Sequence, residues 1–290
     1  MKTAPECVAC FMKQALLAAQ HMTDDPADMI NALKRAAELV STIEYEKSPP
    51  ENDTPVVKAV RSCFGNEDPY REEKKRYNAL ALNAYDALAT YVRDSADSLD
   101  AAVRIAAAGN IMDLGIFADV DIADAVEHAK STALGVNHLG QLKRDLVSAQ
   151  RILYLGDNAG EIVFDRLLVE TLLPLSVTFA VKSGPIANDV THDDAAQSGM
   201  VWVADIIETG CDYLGAPLPL CSPEFREAFH AADVIIAKGM ANFETLSEVD
   251  ANIYFILKVK CPAVAREIGI EEGSIVLIAQ REILSGRGIV

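Results

Sequence analysis

Short apolar runs rich in β-branched residues recur after residue 150, and they constrain the fold more than any other feature of the chain. They cover residues 152–155, 177–181, 201–203, 234–237, 253–257 and 275–278. Most of them are separated by segments with helical spacing or helix caps, and such alternation implies crossover connections between parallel strands. We therefore predict an α/β unit with a mainly parallel sheet that is covered on both faces.

The first half of the chain reads as one helix after another. Apolar residues recur at helical spacing from about residue 6 to residue 22. Three pairs of a capping residue and a following proline predict three further helix starts, at Asp25-Pro26, Thr54-Pro55 and Asp68-Pro69. More helices are expected at residues 99–108, 122–131 and 138–147. The boundary is placed near residue 148, with an all-α domain over 1–148 packed on an α/β domain over 149–290.

Bulk composition excludes several classes of protein. The net charge of −17 argues against a general nucleic-acid binder, because phosphate backbones demand clustered Lys and Arg. No run of eighteen or more apolar residues and no signal-peptide pattern are present, so we expect a cytoplasmic protein without membrane contact. Six cysteines in 290 residues do not make a disulfide framework, and they are expected to be thiols.

The stretch RILYLGDNAGEIVFD, from Arg151 to Asp165, is the centre of the functional prediction. Its order of strand, polar turn and helix places Asp157 and Asn158 at the carboxyl end of a strand, where open parallel sheets bind ligands. Oxygen-bearing side chains beside a helix N-terminus suit a hard metal ion and an anion. The alternative is that both residues only cap the helix.

Three other polar segments also follow predicted strands. They are SGPIANDVTHD at 183–193, KGMANFE at 238–244 and KVKC at 258–261. Parallel strands send these loops, together with 156–161, to one edge of the sheet, so the four segments are expected to share a crevice.

The residue types in this crevice indicate its chemistry. Asp157, Asn158 and Asp189 offer oxygen ligands without histidine or thiolate, which favours Mg, Mn or Co over structural zinc. Lys238 and Lys258 would add positive charge beside the metal, and a metal with lysines is what phosphoryl transfer requires. For each lysine taken singly, a solvated surface charge is the alternative.

Two further motifs stay open at this point. Asn110 and Asp113, in AGNIMDLG, would share one face of a helical turn, although the flanking glycines favour a plain turn. Cys7 and Cys10 form a CxxC, and with Cys63 they would make a metal or redox site or only pack between helices. The remaining thiols are isolated in the sequence and are expected to be structural: Cys211, Cys221 and Cys261.

Taken together, PECVACFMKQ, AGNIMDLG, GDNAGEIVFD, NDVTHDD, KGMANFE and LKVKC resemble the DUF89 family of ARMT1-like, metal-dependent damage-control phosphatases. The CxxC at the start resembles the archaeal and bacterial subfamily. The resemblance spans nearly the whole chain and implies a helical domain on a three-layer α/β domain, with the active site between them. It also implies ligand and substrate roles for particular residues: metal ligands Asp157, Asn158 and Asp189, substrate-binding residues among Met240, Asn242 and Glu244, a phosphate-binding Lys258, and cleft residues Asn110 and Asp113.

The chain departs from the human-like branch of the family, which has an arginine where Glu244 stands here and an RTxK motif where residues 255–258 stand. Preference for sugar phosphates such as fructose 1-phosphate is therefore not carried over from that branch.

The function expected from the sequence is a phosphatase of small phosphorylated metabolites that depends on Mn, Co, Ni or Mg. Lys238 and Lys258 neutralise the phosphoryl group. The nucleophile is a metal-activated water or Asp157, and Glu161 orients that water or only favours the helix dipole. The rival functions are a non-enzymatic metal or redox protein that uses the CxxC, and a carboxyl methyltransferase.

Overall fold

The structure is a computed structural model, and it describes residues 1–65, 68–109, 127, 131 and 133–285. Among these residues, five helices precede the sheet: α1 (Pro5–Gln20), α2 (Pro26–Val40), α3 (Pro49–Ser62), α4 (Arg71–Asp94) and α5 (Ser98–Gly109). The predicted helix at 122–131 lies outside the described residues except for residues 127 and 131. Within the described ranges, no helix combines the length and apolar character needed to cross a bilayer.

The second half alternates strands and helices, as the apolar runs predict. The strands are β1 (Val136–Asn137), β2 (Arg151–Leu155), β3 (Ser176–Val181), β4 (Asp205–Glu208), β5 (Val234–Lys238), β6 (Ile253–Lys258) and β7 (Ile275–Ala279). The helices are α6 (Leu139–Leu146), α7 (Glu161–Leu172), α8 (His192–Ser198), α9 (Pro223–Ala231), α10 (Gly239–Leu246), α11 (Pro262–Ile268) and α12 (Gln280–Leu284). Short 3₁₀ turns cover Met200–Trp202 and Leu218–Leu220.

The described strands form one seven-stranded sheet in the order β1-β7-β6-β5-β2-β3-β4. Strands β2 to β6 are mutually parallel, whereas β7 runs antiparallel to β6 and β1 pairs parallel with β7. The predicted α/β class with a mainly parallel sheet is confirmed. Because β2, β3, β5 and β6 all end at the same edge, the loops that follow them lie together there.

Alternating side chains of the strands enter two apolar cores, one on each face of the sheet. Tyr154, Phe179 and Ile236 face the core that also contains α4, α5 and α7. Leu155, Ile235 and Phe255 face the opposite core, which contains the apolar sides of α9, α10 and α11. The architecture is therefore three layers, helix on sheet on helix.

The helical half divides between two environments. Helices α1, α2 and α3 share a small core of their own, built mainly from alanines such as Ala15, Ala19 and Ala32. Helix α5 is buried along most of its length against α7. The domain boundary near residue 148 stays a prediction. Three elements before that residue, β1, α4 and α5, pack with the sheet.

Two element predictions were wrong. Residues 201–203 are not a strand, since Gly199 ends α8 at φ 76° and the chain makes a 3₁₀ turn before β4. Strand β4 lies at the edge of the sheet and has only two apolar residues, so its pattern is weak. Helix α3 starts at Pro49 rather than at Pro55, because Ser48 and Glu51 form a capping box ahead of it.

Candidate functional site

The loops after β2 and β3 are hydrogen-bonded directly to each other through their backbones. The amide of Val190 donates to the carbonyl of Asp157 at 2.9 Å, and the amide of Ala159 donates to the carbonyl of Asn188 at 2.9 Å. Asn158 and Asp189 lie opposite each other in an isolated antiparallel bridge. The structure therefore brings Asp157, Asn158 and Asp189 together, as the strand-end positions predicted.

The amide group of Asn158 is held in one orientation by its neighbours. Its Nδ2 donates to Oδ2 of Asp157 at 3.0 Å and to Oε1 of Glu161 at 2.8 Å. Both amide hydrogens are thus used by carboxylates, and Oδ1 is the remaining acceptor of the side chain. Glu161 itself is 3% exposed and begins α7. Its Oε1 holds the Asn158 amide in place, and its Oε2 lies 3.4 Å from Nζ of Lys238.

Gly239 allows the Asp157 carboxylate to lie against the start of α10. A Cβ atom at this position would lie 2.0 Å from Oδ2 of Asp157, and the backbone has φ +78°. Both the close approach and the left-handed backbone require glycine. The KG pair after β5 therefore shapes the space in which Asp157 sits.

The electrostatics of the site favour a bound cation. Burial raises the pKa of Asp157 well above its usual value, and the charges of Glu161 and Asp189 raise it further. Burial also raises the pKa of Asp189 to about 6, opposed by the positive charge of Lys182. Oδ2 of Asp189 is buried without a hydrogen bond, with the Lys182 Nζ at 3.5 Å. A bound divalent cation would stabilise the ionised form of these buried carboxyls, and their oxygen atoms are ligands that fit a hard cation.

Lys238 occupies a different place from the one predicted. It is fully buried, with Nζ at 2.6 Å from Oδ1 of Asp165 and 3.4 Å from Oε2 of Glu161. Tyr154 donates to the same Asp165 oxygen at 2.8 Å. Because Lys238 neutralises these interior carboxylates and is not among the residues that line the cavity, the prediction that it binds phosphate does not fit.

Asn242 is a positioning residue. Its Nδ2 donates to the carbonyl of Gly156 at 3.1 Å and to the carbonyl of Lys238 at 2.7 Å. It is 2% exposed and joins the turn after β2 to the end of β5. The substrate-binding role predicted for Asn242 is therefore not supported, whereas Glu244, two residues further along α10, does line the cavity.

The cation at the cavity is Lys260 rather than Lys258. Lys258 ends β6 and is partly buried, and it is not among the lining residues. Lys260 is exposed, and among the described lining residues it is the single Lys or Arg. Its positive charge acts to lower the pKa of Asp157. The KVK sequence contains both lysines, and nothing in its pattern indicates which of them reaches the cavity.

A cavity of about 420 Å³ lies between the helical half and the carboxyl edge of the sheet, and Lys260 is one of the residues that line it. Asp157, Asn158 and Asp189 form one part of its wall, and residues of α1, α3 and α10 form a second part. Asp53 and Glu244 are acidic side chains of that second part. Burial raises the pKa of Asp53 to about 7, and burial together with Asp53 raises that of Glu244 to about 8.

The cysteines are arranged differently from the prediction. Cys7 and Cys10 line the cavity, and the third thiol there is Cys261. Cys63 is exposed at the C-terminal end of α3. In the part of the chain that the structure describes, no three His, Cys, Asp or Glu side chains are grouped to hold a metal ion. The second metal site predicted from Cys7, Cys10 and Cys63 is therefore wrong.

Four buried polar residues that support the site were missed. Lys74 and Asn78 of α4 contact Asp194 of α8, at 3.1 Å and 2.9 Å respectively. Oδ1 of Asn78 accepts from the amide of Gly160 at 2.7 Å, which ties α4 to the turn after β2. Lys182 directly follows β3, and that strand-end position was the available signal. Nothing in the polar pattern of α4 marks Lys74 and Asn78. Asn110 and Asp113, predicted to face the cleft, lie outside the described residues.

The chain is similar in sequence and in structure to proteins of one known family. The model of the damage-control phosphatase ARMT1-like domain matches residues 3–276. A damage-control phosphatase of Pyrococcus horikoshii is 36% identical, covering 97% of this chain and 99% of its own length. An uncharacterized protein of Methanocaldococcus jannaschii is 35% identical over 96% of this chain and 95% of its own. A crystal structure of a DUF89 family protein from Pyrococcus horikoshii superposes with a TM-score of 0.90 at 34% identity, covering 97% of this chain and 99% of that one.

The chain therefore belongs to the ARMT1-like damage-control phosphatase family, also called DUF89, as its sequence motifs predicted.

Proposed function

We propose that this protein is a metal-dependent phosphomonoesterase that hydrolyses small phosphorylated metabolites. Two relatives, from Pyrococcus horikoshii and Archaeoglobus fulgidus, are named damage-control phosphatases. The observation that carries the proposal is the convergence of Asp157, Asn158 and Asp189 with Lys260 on the wall of one cavity. Three oxygen ligands and one cation are what a phosphoryl group requires.

Asp157, Asn158 and Asp189 would hold the divalent cation, which when bound neutralises phosphoryl charge and acts as a Lewis acid. Glu161 keeps the Asn158 amide turned so that Oδ1 is the free acceptor. Lys260, which lines the same cavity, would donate to the phosphoryl oxygens. Lys182 and Lys238, both buried, offset the negative charge of the carboxylates beneath the site.

The part of the substrate beyond the phosphate faces Asp53 and Glu244. With their raised pKa values, both carboxyls retain protons close to neutral pH. A neutral carboxyl group both donates and accepts hydrogen bonds, which matches the hydroxyl groups of a small polyol or sugar. A cavity of about 420 Å³ is within the range of small-molecule sites. Small sugar phosphates are therefore the substrate class we propose.

The test is hydrolysis of para-nitrophenyl phosphate by EDTA-treated protein, followed by addition of Mn, Co, Ni or Mg. We expect chelation to abolish hydrolysis and at least one of these ions to restore it. We also expect Asp157→Ala to stay inactive with every ion. Hydrolysis that ignores EDTA, or that survives Asp157→Ala at the full rate, would overturn the proposal.

A screen of sugar phosphates, nucleotides and cofactor phosphates with the active ion then identifies the substrate class. Preference for sugar phosphates supports the role given to Asp53 and Glu244, and preference for nucleotides contradicts it. The methyltransferase alternative predicts binding of S-adenosylmethionine, which calorimetry detects directly.

A further inference from the structure

Cys211 and Cys221, which appear isolated in the sequence, are neighbours in the structure. Their Sγ atoms lie 3.8 Å apart in the segment between β4 and α9. Cys211 is partly exposed, and Cys221 is 5% exposed. We propose that these two thiols are a redox site that closes to a reversible disulfide and thereby changes the wall of the cavity.

The backbone around the two thiols already forms a closed loop. The amide of Thr209 donates to the carbonyl of Val181 at 2.8 Å, and the amide of Ser222 donates to the carbonyl of Thr209 at 3.0 Å. These bonds hold the two ends of the segment together beside β3. The sulfur atoms therefore need to close only from 3.8 Å to the bond length of about 2.05 Å.

The surroundings make Cys211 the more reactive thiol of the pair. The hydrogen bond with Cys221 lowers the pKa of Cys211 to about 6, against the effect of burial and with help from Lys182. The carbonyl oxygen of Pro217, 3.4 Å from Sγ of Cys221, is an alternative acceptor for the same thiol proton. A thiolate beside a protonated thiol is the arrangement from which disulfides form.

With hydrogen peroxide as the oxidant, the reaction has two steps. The Cys211 thiolate attacks one peroxide oxygen, an S–O bond forms as the O–O bond breaks, and the departing hydroxide takes up a proton to become water. The sulfur of Cys221 then attacks the sulfur of the Cys211 sulfenic acid and loses its proton. The S–S bond forms, the S–O bond breaks, and a second water leaves. Two thiols are oxidised and one peroxide is reduced.

Residues between the two cysteines connect the pair to the site. Leu214 lines the cavity, and its amide donates to Oγ1 of Thr54 at 3.1 Å. The carbonyl of Gly215 accepts a hydrogen bond from Lys182, whose Nζ also lies 3.5 Å from Oδ2 of Asp189. Closing the disulfide pulls on this segment, so it shifts both the cavity wall and the partner of Lys182. Formation of the bond is independent of the proposed function, whereas its effect on turnover rests on it.

The bond is tested by treating the metal-loaded protein with hydrogen peroxide, blocking the remaining thiols and mapping the peptides by mass spectrometry. We expect a linked Cys211–Cys221 peptide that lacks two hydrogens and disappears with dithiothreitol. It should persist in Cys63→Ser, whose thiol is exposed and away from the cavity, and be absent from Cys211→Ser and Cys221→Ala. No link, or a link from Cys211 to another cysteine, overturns the proposal.

The coupling is tested by para-nitrophenyl phosphate hydrolysis before and after peroxide. We expect the natural protein to lose most of its rate and to regain it with dithiothreitol, while Cys211→Ser keeps its rate. An unchanged rate in the cross-linked protein overturns the coupling. An equal loss of rate in Cys211→Ser also overturns the coupling, because oxidation of other groups would then be the cause of the loss. If the reduced protein shows no hydrolysis at all, the proposed function fails, and the peptide map still decides the redox site.

Discussion

Lys260 and Lys258 differ by two residues in the chain and by their access to the cavity. A charge-assisted hydrogen bond to a phosphoryl oxygen is worth about 1.5–3 kcal/mol. We therefore expect Lys260→Ala to lower kcat/KM by about tenfold to a hundredfold, since about 1.4 kcal/mol corresponds to a factor of ten. Steady-state kinetics with Lys258→Ala as the matched control measures this. A larger loss in Lys258→Ala would return the phosphate-binding role to that residue.

Asp53 makes the stability of the protein depend on pH. Unfolded, its carboxyl has its ordinary pKa of 3.8, whereas burial raises the folded-state pKa to about 7. Between these pKa values the unfolded chain has released the proton and the folded protein retains it. A rise in pH therefore lowers the free energy of unfolding. Stability is thus lost from about pH 4 to about pH 7, by at most about 1.4 kcal/mol per pH unit, and the loss is constant above that range.

Asp53→Asn removes this dependence, because the amide does not titrate. We expect its free energy of unfolding, relative to that of the natural protein, to rise between about pH 4 and pH 7 and then to level off. Urea unfolding at a series of pH values measures the difference. The exposed Asp24→Asn is the control and should follow the natural protein. Parallel curves for Asp53→Asn and the natural protein would show that Asp53 is not the cause.

At the scale of elements, helix α10 shapes the surroundings of Asp157 through the glycine with which it begins. Gly239→Ala places a methyl group 2.0 Å from Oδ2 of Asp157 at φ +78°. Gly269→Ala is a matched control, because its φ is +81° and no atom lies within 4 Å of the new Cβ. We expect both variants to lose about 1–2 kcal/mol of stability to backbone strain. Only Gly239→Ala should also lose the metal-activated hydrolysis.

Thermal melts and metal titrations of the two variants check this prediction. Equal metal activation in both variants would contradict it, because it would show that Asp157 can shift away from the new methyl group without loss of metal-activated hydrolysis.

Elements were predictable where the local signal was strong. Five strands carry the apolar runs expected of buried strands: β2, β3, β5, β6 and β7. Their burial reflects coverage of the sheet on both faces. Strand β4 was missed because an edge strand with two apolar residues gives little pattern. Strand β1 was missed because it has only two residues, Val136 and Asn137. The antiparallel direction of β7 has no local signature, since it depends on how the chain returns to the sheet.

At the scale of the whole molecule, the helical half and the sheet depend on each other. Helix α5 buries nearly its whole length against α7, and the described strand β1 extends the sheet beside β7. We expect a fragment of residues 149–290 to be aggregated or molten when expressed alone, because one face of its sheet would keep α7 but lose the apolar cover of α4 and α5. Near-UV circular dichroism and dye binding test this. A fragment with native near-UV signal and cooperative unfolding would contradict it.

The site was only partly predictable, and for a physical reason. Asp157, Asn158 and Asp189 follow strands directly, so topology alone brings them together. The environments of Lys238 and Asn242 depend on which side of the strand end faces the cavity and which faces α7, and sequence does not specify that. The contacts of Lys74 and Asn78 arise from packing between helices far apart in the chain. Tertiary contacts of this kind leave no periodic signal.

The backbone bonds that join Asp157 to Val190 and Ala159 to Asn188 have a thermodynamic consequence for ion binding. The loops are immobilised when the protein folds, so the conformational entropy of ordering them is lost at that stage and not when the ion arrives. The free energy of ion binding therefore needs to cover mainly the removal of water from the ion and from the carboxylates. The metal site that we propose would thus be prepared in advance, and exchange of an ion there would not require unfolding of any part of the sheet edge.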